Sequence, residues 1–209
     1  ELVFLDICAS NEKRTIDIKL VQKIGDEAFM PFAVGGGISN ISSIDKIINS
    51  GAEKVVINSA IYNNLQLIEQ ASDKFGSQSI IASIDVKTNL FGKTHLFSHS
   101  GKNKHKINIE DHLNNIQRYG AGEIMLNVIN NDGLMNGYNI TLIKYVSSLV
   151  DIPVIACGGA GSLADLSDAY FNGEASALAA GSFFVYHGPR NAVLINYPDR
   201  SELMSIFNK

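Results

Sequence analysis

Cysteine, tryptophan and proline are scarce in this chain: two, none and four in 209 residues. Two cysteines, Cys8 and Cys157, cannot build a disulfide framework. Both sit beside apolar runs, so they are expected to be reduced, structural thiols in a cytoplasmic protein. No apolar stretch reaches the roughly 18–20 residues that span a bilayer, so no membrane association is expected. Basic residues (17) do not exceed acidic ones (21) and are nowhere clustered. That leaves no electrostatic footprint for nucleic acid or for an anionic membrane surface. The first residues, "ELVFLDICAS", have no positive n-region and no cleavage site, so no signal peptide is expected. Cofactor and nucleophile motifs are also missing. No GxGxxG follows a strand pattern, and there is no GxSxG elbow. His95, His99 and His105 lack metal-ligand spacing, so neither metal nor cofactor is expected. His112 is expected on an exposed helix face, and His187 to cap a turn.

What the chain does have is apolar residues, at 45%, against only 18% charged. They fall in short runs without alternation: Leu2–Leu5, Phe32–Val34, Lys54–Ile57, Ser79–Ile84, Glu123–Leu126, Pro153–Ala156 and Ala175–Ala180. Such runs suit parallel strands buried on both faces. Helical patterns lie between them, over Ile41–Ser50, Leu65–Lys74, Ile109–Tyr119, Ile140–Val150 and Leu163–Asn172. Gly51, Gly76, Gly120 and Gly173 stand where helices close. Strand–helix alternation predicts βαβ units in a parallel sheet, within a single domain over residues 1–209. Thr88–Lys106 is the longest irregular segment, with room for a short hairpin.

The chain also repeats itself. Pro31 and Pro153 are 122 residues apart, and so are Gly36 and Gly158, Gly37 and Gly159, and Gly51 and Gly173. The same offset aligns "ELVFL" with "EIMLN". A period of four βα units predicts two related halves, hence a (β/α)8 TIM barrel with a twofold half-barrel repeat. Seven strand patterns are visible, so the first βα unit, roughly 40–45 residues, is expected to precede Glu1.

In a parallel barrel the C-terminal strand ends form the chemical face. Gly-Gly at such an end can be a tight turn, or can let backbone N–H groups approach an anion. The anion reading is preferred here. In each half the next strand also ends in small residues, Asn58–Ser59–Ala60 and Ala179–Ala180–Gly181, and the design occurs twice, half a barrel apart. Two facing phosphate sites are predicted, for an elongated phosphorylated substrate. Asp6, Asp85 and Asp132 should project at the same face. Asp85 is the preferred acid–base residue, with Lys87 on its side of the pleat. By the repeat, its carboxylate partner should lie upstream of Glu1. Asp6 can equally serve its own loop backbone.

The segments "ELVFLDICAS", "PFAVGGGIS", "GAEKVVINSA", "FGSQSIIASIDVK", "GAGEIMLNVINNDGLMNGYN" and "IPVIACGGAG" resemble the cyclase subunit of imidazole glycerol phosphate synthase, from Glu1 to about Ser182. The resemblance implies a TIM barrel that receives ammonia from a glutaminase docked at its N-terminal face. The ammonia would cleave and cyclise a phosphoribulosyl-formimino aminoimidazole carboxamide nucleotide. It implies Asp85 as one of two catalytic aspartates. Gly37, Asn58 and Ser59 would meet one phosphate, and Asp132, Gly133, Gly159, Ala180 and Gly181 the other. Asp6, Lys87 and Asn127 would support the site, and Glu1, Lys54 and Glu123 would form a charged ammonia gate. Departures from the family pattern include Asn127, Asn130, Asn139, Cys157 and Gly181. The tail "GSFFVYHGPRNAVLINYP" is similar to a branch found with surface-polysaccharide genes, thought to supply ammonia for aminating a sugar.

Overall fold

The computed structural model describes residues 1–89, 92–188 and 192–207. Strands and helices alternate: β1 (Leu2–Leu5), α1 (Ile18–Glu27), β2 (Phe32–Gly35), α2 (Ile41–Asn49), β3 (Lys54–Ile57), α3 (Gln66–Phe75) and β4 (Ile80–Thr88). A hairpin follows, β5 (Thr94–Ser98) and β6 (Asn103–Lys104). Next come α4 (Ile109–Arg118), β7 (Glu123–Val128), α5 (Ile140–Ser147), β8 (Val154–Cys157), α6 (Leu163–Phe171) and β9 (Ala177–Ala179). The chain continues through α7 (Ser182–Val185), a small antiparallel pair β10 (Tyr186–His187) and β11 (Ala192–Val193), and α8 (Arg200–Phe207). Residues 189–191 of the tail motif lie outside the described residues.

Seven strands pair in parallel in the order β1-β2-β3-β4-β7-β8-β9. The period-two geometry of a strand sorts their side chains into two cores. Phe32, Val34, Val55, Ile57, Ile80, Ile84, Ile124 and Leu126 face the helices and join the large cluster with Ile44, Leu67, Leu113 and Val146. The alternate positions Ala33, Val56, Ile81, Met125 and Ile155 form a second, smaller cluster made of strand residues alone. Val3 of β1 and Ala179 of β9 both pack on that inner cluster, although they belong to the first and last strands of the order. The sheet is therefore curled around its inner face, as in a (β/α)8 barrel, and the described residues supply seven strands of that wall.

The structure differs from the sequence reading at several points, among them His187, which pairs with Ala192 in the β10–β11 ladder rather than capping a turn. Helix α1 was not among the expected helices; Val21 on its inner face is fully buried, with Ile18 and Ile24 packed against the core. Strand β4 runs past Ile84 to Thr88 because β5 pairs with its extension, from Asp85↔Phe97 to Thr88↔Thr94. The segment expected to be irregular is thus largely a hairpin. His112 is not on an exposed helix face: it is 2% exposed, on the inner side of α4. The last strand is shorter than Ala175–Ala180, starting at Ala177.

The repeat is written into the backbone. Asn40 caps α2 at φ −156°, ψ 161°, and Ser162, 122 residues later, caps α6 at φ −153°, ψ 163°. Asp17 and Asn139 cap α1 and α5 at the same spacing. Leu2 N–H donates to the Pro31 carbonyl, and Ile124 N–H to that of Pro153. The offset then slips by one residue. Glu53 N–H donates to Phe32 O, but in the second half it is Ser176, not Ala175, that donates to Val154 O. The extra residue lies just after α6, where Glu174 takes a left-handed φ of 57°. From there the equivalent of Asn58 (φ −122°, ψ −81°) is Gly181 (φ −117°, ψ −69°), and that of Ser59 is Ser182.

Each cap satisfies a backbone N–H that would otherwise lack a partner. Asn40→Ala and Ser162→Ala should each lower unfolding free energy by about 1 kcal/mol, read from denaturant midpoints, and the double variant should be additive.

Candidate active site

The inward side chains stack in layers along the barrel axis. At the N-terminal end Lys54 Nζ lies 2.8 Å from Glu123 Oε1 and 3.2 Å from Glu1. Burial pushes the Lys54 ammonium down, but the Glu123 and Glu1 carboxylates outweigh this and leave it raised. Above these charges sits the apolar layer of Ala33, Val56, Ile81, Met125 and Ile155. The next layer borders a cavity of about 410 Å³ whose wall includes Leu5, Gly35, Val56, Ser83, Asn127, Cys157 and Ala179, one residue or more from each of the seven parallel strands.

Asp85 is the buried acid of this cavity, 8% exposed. It projects inward because Ile81, Ser83 and Asp85 share one face of β4. Its register partner on β7 is Asn127, whose Nδ2 donates to Asp85 Oδ1 at 3.0 Å. Burial raises the Asp85 carboxyl above the usual carboxylate range; hydrogen bonds from Asn127 and Asn58 oppose the rise, the Asp132 charge adds to it and Lys87 draws it back. A carboxyl held this way can carry a proton closer to neutrality, as acid–base work requires.

Of the residues singled out from sequence, Gly37, Asn58, Ser59, Asp132, Ala180 and Gly181 line the same cavity as Asp85, together with Asp6 and Asn127. Gly133 and Gly159 do not. Neither does Lys87, whose Nζ lies over the Phe97 ring, 4.9 Å from its centroid, and 3.5 Å from the Gly101 carbonyl. Asp6 serves mainly its own loop: its carboxylate accepts from the Cys8 and Ala9 N–H groups at 3.1 Å and pairs with Arg14 at 2.5 Å. The Arg14 guanidinium holds its carboxyl below the ordinary range.

The two glycine pairs do mirror-image work. At Gly37 (φ +62°) a Cβ would sit 1.8 Å from the Arg14 carbonyl oxygen, and at Gly159 (φ +118°) 2.2 Å from that of Gly137. Each therefore lets the loop from the preceding strand cross directly over it. The Tyr138 hydroxyl donates to the Ala179 carbonyl at 2.9 Å and ties the second crossing loop to the end of β9. Asn130 clasps β4: it accepts from Thr88 N–H at 2.9 Å and its Nδ2 donates to Thr88 O.

Two features escaped the sequence reading. Ser182 stands in the place that Ser59 has in the first half, beside Gly133, where the nearest atom to an added Cβ is Ser182 Oγ at 4.0 Å. Shifting the repeat by one residue after Gly173 would have found it. Behind the cavity, Tyr62 stacks between His105 (3.8 Å) and His112 (4.6 Å). Burial pushes the His112 imidazole down to about 4. Nothing in the residue order signals this stack, since its members come from three separate elements.

A family model described as "Histidine biosynthesis protein" matches residues 1–189. The chain is 43% identical over 203 residues to a Pseudomonas aeruginosa protein provisionally named imidazole glycerol phosphate synthase subunit hisF2, covering 97% of this chain and 81% of that one. It is 40% identical over 203 residues to a Vibrio vulnificus protein provisionally named as subunit hisF3 of that synthase (97% and 78% covered). It is 44% identical over 184 residues to the imidazole glycerol phosphate synthase subunit HisF of Thermococcus onnurineus (88% and 72% covered).

Cys157 offers a check on the electrostatics of the cavity. Burial, with the Asp132 and Asp85 charges, pushes its thiol up to about 12. At pH 8 only about one molecule in ten thousand would carry the reactive thiolate. Iodoacetamide at pH 8 should modify the exposed Cys8 and spare Cys157, with the Cys157 rate climbing about tenfold per pH unit, as peptide mass spectrometry can follow.

Proposed function

Because this chain belongs to the histidine biosynthesis protein family, alongside imidazole glycerol phosphate synthase HisF subunits, we propose that it is the ammonia-using cyclase subunit of such a synthase. The observation that carries the reading is the placement of Asp85: a buried carboxyl with a raised pKa, between two glycine-paired strand ends of a twofold-repeated barrel. The substrate is the phosphoribulosyl-formimino aminoimidazole carboxamide nucleotide, which carries a phosphate at each end. One phosphate sits at Gly37, Asn58 and Ser59. The other sits at Ala180 and Gly181, flanked by Asp132, Gly133 and Gly159. This holds the reacting middle of the substrate over Asp85.

Ammonia attacks within that middle. Asp85 takes and returns the protons released as the nucleotide is cleaved and the imidazole ring closes, giving imidazole glycerol phosphate and an aminoimidazole carboxamide ribotide. Asn127 and Asn58 orient the carboxyl, and its burial strengthens its interactions. Ammonia enters from the opposite end, past Lys54, Glu1 and Glu123, and through the apolar inner layer. A glutaminase subunit docks there. The turn between α1 and β2 supports that surface, presenting Phe29, 98% exposed, and Met30, 54% exposed, at the N-terminal strand ends. The protein works in the cytoplasm.

A second reading keeps the barrel and the ammonia but passes the ammonia to amination of a surface-polysaccharide sugar. It is favoured by Asn127, which occupies one Asp85 oxygen, and by the hisF2 and hisF3 names of two relatives. Purified protein, ammonium salt and the bisphosphate nucleotide separate the two: loss of substrate absorbance supports the cyclase, whereas nucleotide binding without turnover favours the sugar route.

Asp85→Asn tests the assignment of the acid. Turnover should fall by at least about a thousandfold while nucleotide affinity stays within a few-fold. The fold should not suffer. The Asp85 pKa is raised in the native state, so its contribution to stability is present below the ordinary carboxylate range and is lost as pH rises through the raised value. A permanently neutral amide escapes that loss, and the thermal midpoint at pH 7–8 should equal or exceed that of the parent.

A further inference from the structure

The turn joining β5 to β6 is held in an uncommon conformation. His99 and Ser100 have φ of 52° and 55°, and Gly101 follows at 77°. Two successive side-chain-bearing residues in the left-handed region persist only where surrounding contacts impose it. Those contacts face the first-half strand ends. Ser100 Oγ donates to the Ile7 carbonyl at 2.7 Å and accepts from Asn11 Nδ2. His99 N–H donates to Ser59 Oγ at 3.2 Å, which leaves the Ser59 proton for another acceptor.

Beside the central cavity lies a polar annex of about 460 Å³, walled by Lys13, Arg14, Gly37, Asn40, Ser59 and His99. The two spaces share Ser10, Gly37, Ile38 and Ser59. His99 belongs to this wall, and its ring has one nitrogen already committed. Its Nδ1 lies 3.2 Å from Asn103 Nδ2 and 3.0 Å from Ser98 Oγ, which is in turn 2.8 Å from His105 Nε2. An amide nitrogen can only donate. Asn103 therefore makes His99 Nδ1 an acceptor, and the Ser98 hydroxyl lies within hydrogen-bond reach of both His99 Nδ1 and His105 Nε2. With Nδ1 accepting from Asn103, the ring proton of His99 lies on Nε2, which has no hydrogen bond among the described residues.

We propose that His99 is a substrate-binding residue, whose Nε2–H donates to an oxyanion held at Gly37 and Ser59, the phosphate end of the substrate in the annex. The inference rests on the reading of the site as one for a phosphorylated ligand. It adds a contact from the hairpin and assigns a proton position to it. The Ser59 hydroxyl and the His99 ring then act as two donors prepared by the same turn.

The test uses the ¹⁵N-labelled protein and inorganic phosphate. Long-range ¹H–¹⁵N spectra should find His99 as the neutral Nε2–H tautomer, and phosphate should shift that signal. His99→Phe should weaken phosphate binding and raise KM for the bisphosphate nucleotide about tenfold, with kcat within twofold. His99→Gln, whose Nε2 reaches a similar place, should recover most of the loss. An Nδ1–H tautomer, or phosphate affinity unchanged in His99→Phe, overturns the proposal. The proposal and the cyclase reading fail separately. A phosphate-shifted His99 without nucleotide turnover supports this contact and sinks the cyclase. Normal turnover with an unchanged KM in His99→Phe does the reverse.

Discussion

The space inside a curled parallel sheet is narrow, and everything else in this molecule depends on what fills it. Each strand sends alternate side chains inward, and seven strands must share one axis. The chain meets that constraint with three kinds of layer: ions at Glu1, Lys54 and Glu123, apolar groups from Ala33 to Ile155, and small or polar groups around Asp85. The middle layer separates the other two. Asp85 lies among the small and polar groups above it and loses water there. That is why burial dominates its ionisation.

The second organising feature is duplication with a single slip. Helix caps, strand-entry hydrogen bonds and glycine crossings recur at one spacing through most of the second half. The slip falls after α6, at Glu174, where one added residue is absorbed in a turn rather than in a strand. A strand could not absorb it, because a one-residue shift would turn its inward side chains outward. The register of β9 is thereby kept, with Cys157 opposite Ala179. The two ends of the cavity still differ in chemistry, with Asn58 on one side and Gly181 on the other.

The hairpin sets the surroundings of the strand that carries Asp85. It extends β4 beyond Asp85, brings Lys87 onto Phe97, and lays the turn at His99 across the first-half strand ends. Behind it His105, Tyr62 and His112 are stacked. Tyr62 Oη and His112 Nε2 are buried there without hydrogen-bond partners among the described residues. Buried polar groups left so are costly, and the cost falls near Asp85, whose charge acts on Tyr62.

Much of this was legible in the order of residues. Apolar runs of four to six residues, the caps and the spacing of Gly36–Gly37 and Gly158–Gly159 follow local rules of periodicity and backbone freedom, so the parallel barrel and the position of Asp85 could be read directly. Other features could not. Lys87 shares the pleat of Asp85 yet turns to the hairpin, because β5 supplies an aromatic face that no local rule announces. His112 is polar but buried, because Tyr62 lies over it. The equivalence of Ser182 with Ser59 is hidden from a single-offset reading, since one residue is inserted between α6 and β9, and the backbone angles bring it out. By itself the sequence determined the strands, the repeat and the buried acid, each set by a residue and its near neighbours. The tertiary structure alone decided which side chains meet across strands and loops, since those contacts depend on the curl of the sheet and the path of one hairpin.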